Sequence, residues 1–385
     1  MEIESYLIPA EIGGQSYEPY QWGSSIKRFT KEGFPDLEEV KVAIIGIGES
    51  RNSMGNDGCS NAPDKVREYF YKLASIAGVK LADIGNLRLG QTTNDTYHAV
   101  EFVCSELIEK GIIPLIIGGS QDLTFANYLA YQKQQQTINL VCIDRKVDLG
   151  ISSDSIDNNS YLNNIIRHPS ALLFNLSLAA YQSYFVNEEE IETLKKMYFD
   201  AYRLGFIQSK IEEAEPIVRN ADILSFDISS IRQSDAPACA NTTPNGLYGE
   251  EACQIMRYAG MSDKLSSVGI YELNPEFDNR GQTTHLAAQM LWYFLEGFSN
   301  RKNDFPVITG KDYMKYRVAI KSPEHELVFY KSLKTDRWWM EVPFKIDDKS
   351  KFERHHLVPC SYDDYLLACA EEMPDRWWQA YQKLN

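Results

Sequence analysis

Four clusters of chemically capable residues stand at the ends of apolar runs. "IIGGSQDLT" (116–124) carries Ser120, Gln121 and Asp122. "VCIDRKVDLG" (141–150) carries Asp144 and Asp148, with Arg145 and Lys146 between them. "SFDISSIRQSDAP" (225–237) carries Asp227, Ser229 and Arg232, and "VGIYELNPEFD" (268–278) ends its run at Glu272. Carboxylates and amide oxygens converging from strand ends are the donors that a hard divalent cation takes. A lysine among them is anomalous, because an ammonium has three donors and no lone pair to offer a metal.

The elements that must position these clusters are legible from periodicity. Short β-rich runs ("VKVAIIGIGES", "GVKLADIG", "IIPLIIGG", "INLVCID", "ALLFNL", "DILSFDIS", "KLSSVGIYEL") alternate with amphipathic stretches such as "NAPDKVREYFYKLA", "TYHAVEFVCSELIEKG" and "YGEEACQIMRYAG". Near-continuous apolar strands separated by helices predict a mostly parallel sheet covered on both faces. In such sheets a site lies beyond the carboxyl ends of the strands, where the polar clusters fall. Pro63 suits the first turn of its helix, with Asn61 as the expected cap. After "THLAAQMLWYFLEGF" (284–298) the alternation stops. The expected organisation is an N-terminal arm over 1–38, an α/β domain over 39–300 and an aromatic-rich extension over 301–385. That extension carries a predicted hairpin, "RVAIKSPEHELVFYKS", and two copies of "DRWW" (336–339 and 375–378), read as aromatic anchors that fasten it to the core.

Composition narrows the partners. A net charge of −15 argues against nucleic acid and anionic membrane, both of which require a basic surface. Hydrophobic content of 44% is that of a globular protein. Seven cysteines without a CxxC pair read as reduced core thiols of a cytoplasmic protein. The first residues lack the pattern of a signal peptide, and no apolar run is long enough to cross a bilayer.

Order and spacing of the four clusters resemble the ureohydrolases, the family of arginase, agmatinase and formimidoylglutamase. That family carries GGDHS, DAHxD, SxDxDxxDP and a glutamate before an Asn-Pro-like turn. The resemblance runs over roughly 38–300 and includes Gly55, Gly58, Ala62, Pro63, Val66 and Arg67. "FNLSLAAYQSYFV" (174–186) leans towards the formimidoylglutamase branch. It implies a three-layer α/β/α sandwich, two Mn²⁺ ions holding a hydroxide that attacks an amidine carbon, and a homo-oligomer of trimers or hexamers. Carried position by position, the family's ligands become Gln121, Asp144, Lys146, Asp148, Asp227 and Ser229. The third motif's last aspartate becomes Arg232, and Glu272 matches the glutamate that orients the substrate. The loop histidine has no counterpart, since none occurs between Asp144 and His168. His355 and His356 fall outside the motifs.

One subsite of this carried-over set, Gln121, Asp144, Asp148 and Asp227, retains oxygen donors for a single Mn²⁺, Mg²⁺ or Ca²⁺. The other, with Lys146 and Ser229, does not. Three buried aspartates without a counter-charge would take up a proton, so Lys146, seconded by Arg232, is expected to stand in for the lost ion. Three readings follow: an inactive member of the family with no cofactor, an amidine hydrolase working with one ion, and a binder of a small polar or cationic metabolite. For the last, the loop "ACANTTPNGLYGEE" (238–251) offers Asn241, Thr242, Thr243 and Asn245, which equally suit a turn shaped by Pro244 and Gly246.

Overall fold

A computed structural model describes residues 2–150, 156–306, 311–321, 324–344 and 353–385. Ten strands form its main sheet: β1 (Leu7–Ile8), β2 (Lys27–Arg28), β3 (Val42–Ile47), β4 (Leu81–Leu87), β5 (Ile113–Gly118), β6 (Ile138–Ile143), β7 (Leu173–Tyr181), β8 (Asp200–Arg203), β9 (Ile223–Asp227) and β10 (Ser267–Tyr271). Their order is β1-β4-β3-β5-β10-β9-β6-β7-β8, with β2 also on β4. Only the β1–β4 pairing is antiparallel. Every residue of β3, β5, β6, β9 and β10 is buried, as apolar runs covered on both faces require.

Helices Ala62–Phe70, Ala214–Arg219, Gly249–Met261 and Gln282–Ser299 supply one core layer. Thr93–Glu109, Leu123–Leu129 and Tyr161–Ile166 supply the other. The architecture is the expected three-layer sandwich. Pro63 does sit in the first helical turn, but Asn61 makes no side-chain cap bond. Thr92, in contrast, closes a capping box with Asp95 at the start of Thr93–Glu109. The N-terminal segment is held by the pairing of β1 and β2 with β4 and by the burial of Trp22 against Phe70.

The chain beyond 300 builds a second sheet, antiparallel, from β11 (Tyr313–Lys321), β12 (Glu324–Ser332), β13 (Trp338–Glu341) and β14 (Leu357–Cys360), in that order. The predicted hairpin is the β11–β12 pair; residues 322–323, between them, lie outside the described set. Two helices, Tyr362–Cys369 and Asp375–Leu384, complete the tail.

The anchoring role expected of the tryptophans is corrected. Trp338 and Trp377 are buried in the tail's own cluster, with Phe329, Met340 and Val358, and Trp378 is 42% exposed. Trp339 serves the seam with the body, where the Arg219 guanidinium lies 4.3 Å from its ring centre, and Phe174 of the body packs against the tail's cluster. The seam is mostly ionic and polar. Arg219 donates to the carbonyls of Trp338 (3.2 and 3.1 Å) and Cys360 (3.3 Å). Arg376 pairs with Glu213 at 2.6 Å, Arg337 with Glu215 at 3.2 Å, and Arg354 with Asp222. A sheet that covers its apolar residues with its own helices has polar groups left to offer a neighbour. His355 stacks on Phe174 at 3.9 Å and His356 lies against Phe344, so both act in packing. All seven cysteines are free, six of them buried.

Candidate functional site

The sheet order gives the four clusters a common address. β5, β10, β9 and β6 are consecutive neighbours, so Gln121, Glu272, Asp227 and Asp144 emerge side by side at their carboxyl ends. Register sharpens this: Tyr271 pairs with Asp227, and Phe226 with Ile143, so each functional residue ends its strand at nearly the same level.

Asp144, Asp148 and Asp227 are all buried. The Asp144 carboxyl is pushed well above the usual range, first by burial and then by the charge of Asp148. Asp227 is likewise pushed well up, by burial, then Asp144, then Glu272. Asp148 reaches about 6, raised by burial and held back chiefly by Lys146. The Lys146 ammonium lies 3.2 Å from Asp148 and also donates to Asn159. Its own pKa is raised: Asp148 and Asp144 outweigh the lowering by burial, the largest single influence. Burial and mutual repulsion thus favour the neutral form of Asp144 and Asp227, and the cluster's ion pair is Lys146–Asp148. Lys146 stands at this cluster with Asp148 as its direct partner.

Arg232 does not join it. Its guanidinium pairs with Asp235 at 2.9 Å and lies over the Tyr248 ring at 3.9 Å. An acid three residues away and a ring across the loop hold it outside. The second cation at the site is Arg145, a residue whose role went unread in the sequence although it sits between the two aspartates. Its Nε donates to the Ser229 hydroxyl at 3.3 Å, and its guanidinium stacks on Phe185 at 4.8 Å. Ser229 also donates its backbone N–H to Asp227 at 2.6 Å.

Glu272 is fully engaged by the protein. Oε2 accepts from Ser53 (2.7 Å) and Asn56 (2.9 Å), and Oε1 accepts from the Gln121 backbone (2.9 Å) and Asn158 (3.3 Å). Those four bonds fill the acceptor positions of a carboxylate. Its backbone is held at φ 64°, a costly conformation for a residue other than glycine. The position expected to orient a substrate is thus occupied by internal donors, of which Gln121 alone belongs to a strand-end cluster.

Gln121 is turned towards the sheet, donating its side-chain amide to Ser225 at 3.4 Å. A neighbouring device, also missed, is Asp122. It accepts from Tyr97 and from Asn52 (3.2 Å), and burial raises it to about 6.

In the polar loop, Thr243 donates to the Asn245 carbonyl at 2.6 Å and shapes the turn from inside. The Asn241 N–H faces the Cys239 sulfur at 3.5 Å, while Thr242 is half-buried. Asn245 is exposed and donates to Tyr184 at 3.3 Å.

The donor set does not fit a binuclear metal centre. Asp144 Oδ2 and the Asp148 oxygens are buried and face each other and the Lys146 ammonium, where a cation would seek donors. They come from only two residues, and the Lys146 ammonium stands beside one of them. Asp227 Oδ1 is taken by Ser229, and Gln121 faces Ser225. Among the described residues, no three His, Cys, Asp or Glu side chains gather in a metal-holding group. Among the same residues, no helix is long and apolar enough to cross a membrane.

The arginase family profile matches residues 40–296. Formimidoylglutamase of Bacillus subtilis (strain 168) is 24% identical over 287 residues, covering 68% of this chain and 89% of that protein. The Staphylococcus aureus (strain MSSA476) formimidoylglutamase is 25% identical over 292 residues, covering 70% and 93%. Among solved structures, Trypanosoma cruzi formiminoglutamase with Mn²⁺ superposes with a TM-score of 0.64 at 19% identity, over 69% of this chain and 96% of that one. The B. subtilis formimidoylglutamase structure gives 0.66 at 21% identity, over 75% and 96%. With the sandwich, the four strand-end clusters and a profile match over two thirds of its length in agreement, this chain belongs to the arginase family, in a formimidoylglutamase-like branch.

Proposed function

We propose that the chain is a non-catalytic member of its family, a ligand-binding or partner protein in which an internal ion pair replaces the binuclear centre and no resident metal is required. One observation carries the reading: the Lys146 ammonium lies 3.2 Å from Asp148, inside the carboxylate cluster, where it supplies the positive charge that buried aspartates need. Two further features agree with it. Glu272 has its acceptors filled by Ser53, Asn56, Gln121 and Asn158. Ser229, in place of a ligand aspartate, receives a hydrogen bond from Arg145. The raised pKa of Lys146 keeps its ammonium charged, which disfavours it as a general base.

The test is hydrolysis of formimidoylglutamate, agmatine and arginine by the full chain with Mn²⁺ added, together with the metal content of protein purified without chelator. The expected result is turnover at the uncatalysed level and a substoichiometric metal content. Metal-dependent turnover of any of the three overturns the reading. It would favour instead a hydrolase working with one divalent ion, a reading supported by the carboxyl oxygens that Asp144 and Asp148 bring together at the strand end.

A further inference from the structure

A cavity of about 1080 Å³ lies away from the strand-end cluster. None of Gln121, Asp144, Lys146, Asp148, Asp227 or Glu272 lines it. One wall comes from the body: the end of β7, the edge strand β8, the helix Glu188–Lys196 and the loop at Pro244–Tyr248. The other comes from the two tail helices and the turn joining them. The tail lies beyond the family match at 40–296, so one wall of this cavity, nine of its thirty lining residues, is made by chain outside that match.

Ion pairs across the seam hold the walls together. Lys210 meets Asp363 at 2.6 Å, and the largely buried Arg376 bridges Glu213 (2.6 Å) and Asp364 (2.9 Å). Removing these matched charges leaves an informative remainder. On the body wall, Lys195 has no side-chain partner among the described residues, and Arg203 uses only its Nε, on the Tyr181 hydroxyl at 3.2 Å. The other guanidinium nitrogens of Arg203 are open to a carboxylate, which arginine takes bidentately. On the tail wall, Glu372 and Asp375 have no side-chain partner among the described residues. The buried Oε1 of Gln379, also on this wall, lacks a donor, and an unsatisfied buried acceptor is costly unless a ligand completes it. Between the walls, Tyr184 and Tyr248 show 63% and 38% of their surface. With Arg232 already over the Tyr248 ring at 3.9 Å, Tyr184 is the ring left to receive an apolar segment or a cation.

We propose that this cavity binds a zwitterionic metabolite of the amino-acid class, its carboxylate on Arg203 and Lys195 and its cationic group towards Glu372 and Asp375. A dianion would meet the acids of the tail wall, and a dication would meet the bases of the body wall; only a molecule carrying both charges satisfies both. The volume is just above the usual range of small-ligand sites, leaving room for an extended side chain along Tyr184. The inference does not depend on whether the strand-end cluster is catalytic, so amidine turnover would leave it standing.

The test is isothermal titration of the full chain with L-glutamine, L-lysine, L-tyrosine and γ-aminobutyrate, using butyrate and butylamine as single-charge controls. Saturable binding of at least one zwitterion is expected, with no binding of either control. Lys195→Ala with Arg203→Ala should weaken it at least tenfold, and so should Glu372→Gln with Asp375→Asn. These side chains are peripheral to both cores, so circular dichroism and melting should match wild type. Absence of binding by all four zwitterions, equal binding of a control, or unchanged affinity in either double variant overturns the proposal.

Discussion

Lys146 carries one charge into a cluster of acids, and its removal has a calculable sign. Asp148 titrates at about 6 with the ammonium beside it, above the ordinary value near 4. A raised acid binds its proton more tightly when folded. Its contribution to stability is therefore complete below about pH 4 and falls as pH rises through about 6. Lys146→Ala deletes the charge that restrains Asp148, so the decline extends to higher pH. The variant should lose about 3 kcal/mol at pH 8, the low end for breaking a buried pair because the lysine side chain is 21% exposed. At pH 5 the deficit should be much smaller. Thermal melts from pH 5 to 8 check this, and a variant that melts like wild type throughout would show that Lys146 is no ion surrogate. Lys146→His with Ser229→Asp restores two donor types to the same positions. Titration with Mn²⁺ should give uptake in the double variant that wild type lacks, read as a rise in melting temperature.

Among the elements, the tail helix Asp375–Leu384 separates two adjacent tryptophans by the face each presents. Trp377 is 1% exposed within the tail's core, while Trp378 is 42% exposed. Trp377→Ala should cost about 3–5 kcal/mol, as cavity-forming aromatic truncations do. Trp378→Ala should stay within about 0.5 kcal/mol. Urea denaturation of the two variants is the measurement, and equal losses would contradict this division. The identical "DRWW" repeats behave differently because one lies in a strand, with alternate faces, and the other in a helix, where neighbours point about 100° apart. The repeat was visible in the sequence; which copy of the ring turned inward was not.

Across the whole molecule, the seam between body and tail joins buried charges. Asp222 and Glu213 lie in the body at 1% and 6% exposure, and their cations Arg354 and Arg376 come from the tail. Truncation after residue 300 would remove Arg354 and Arg376, leave Asp222 with Lys264 at 3.9 Å and the Asn139 N–H, and uncover the face of the body that the tail seals. The truncated chain should melt well below the full protein and precipitate on heating. Calorimetry of the two chains decides it; equal melting temperatures would mean that the seam contributes nothing to the body.

Periodicity determined the sandwich, because burial on two faces demands apolar strands and an amphipathic helix demands a 3.6-residue period, and both are local properties of the chain. Chemistry at position 146 was equally fixed, since an ammonium has no lone pair for a metal in any fold. Strand order was not local: β10 enters between β5 and β9, and that insertion sets Glu272 beside Gln121 and Asp227. Nor was the choice between two arginines, where Arg232 is drawn off by Asp235 and Tyr248 while Arg145 reaches Ser229. The donors that fill Glu272 lie as far as 219 residues away in the chain. Side-chain direction beyond a strand end depends on the path of loops and on distant partners, so the residue types were written in the sequence, and their pairing was decided only when the chain closed on itself.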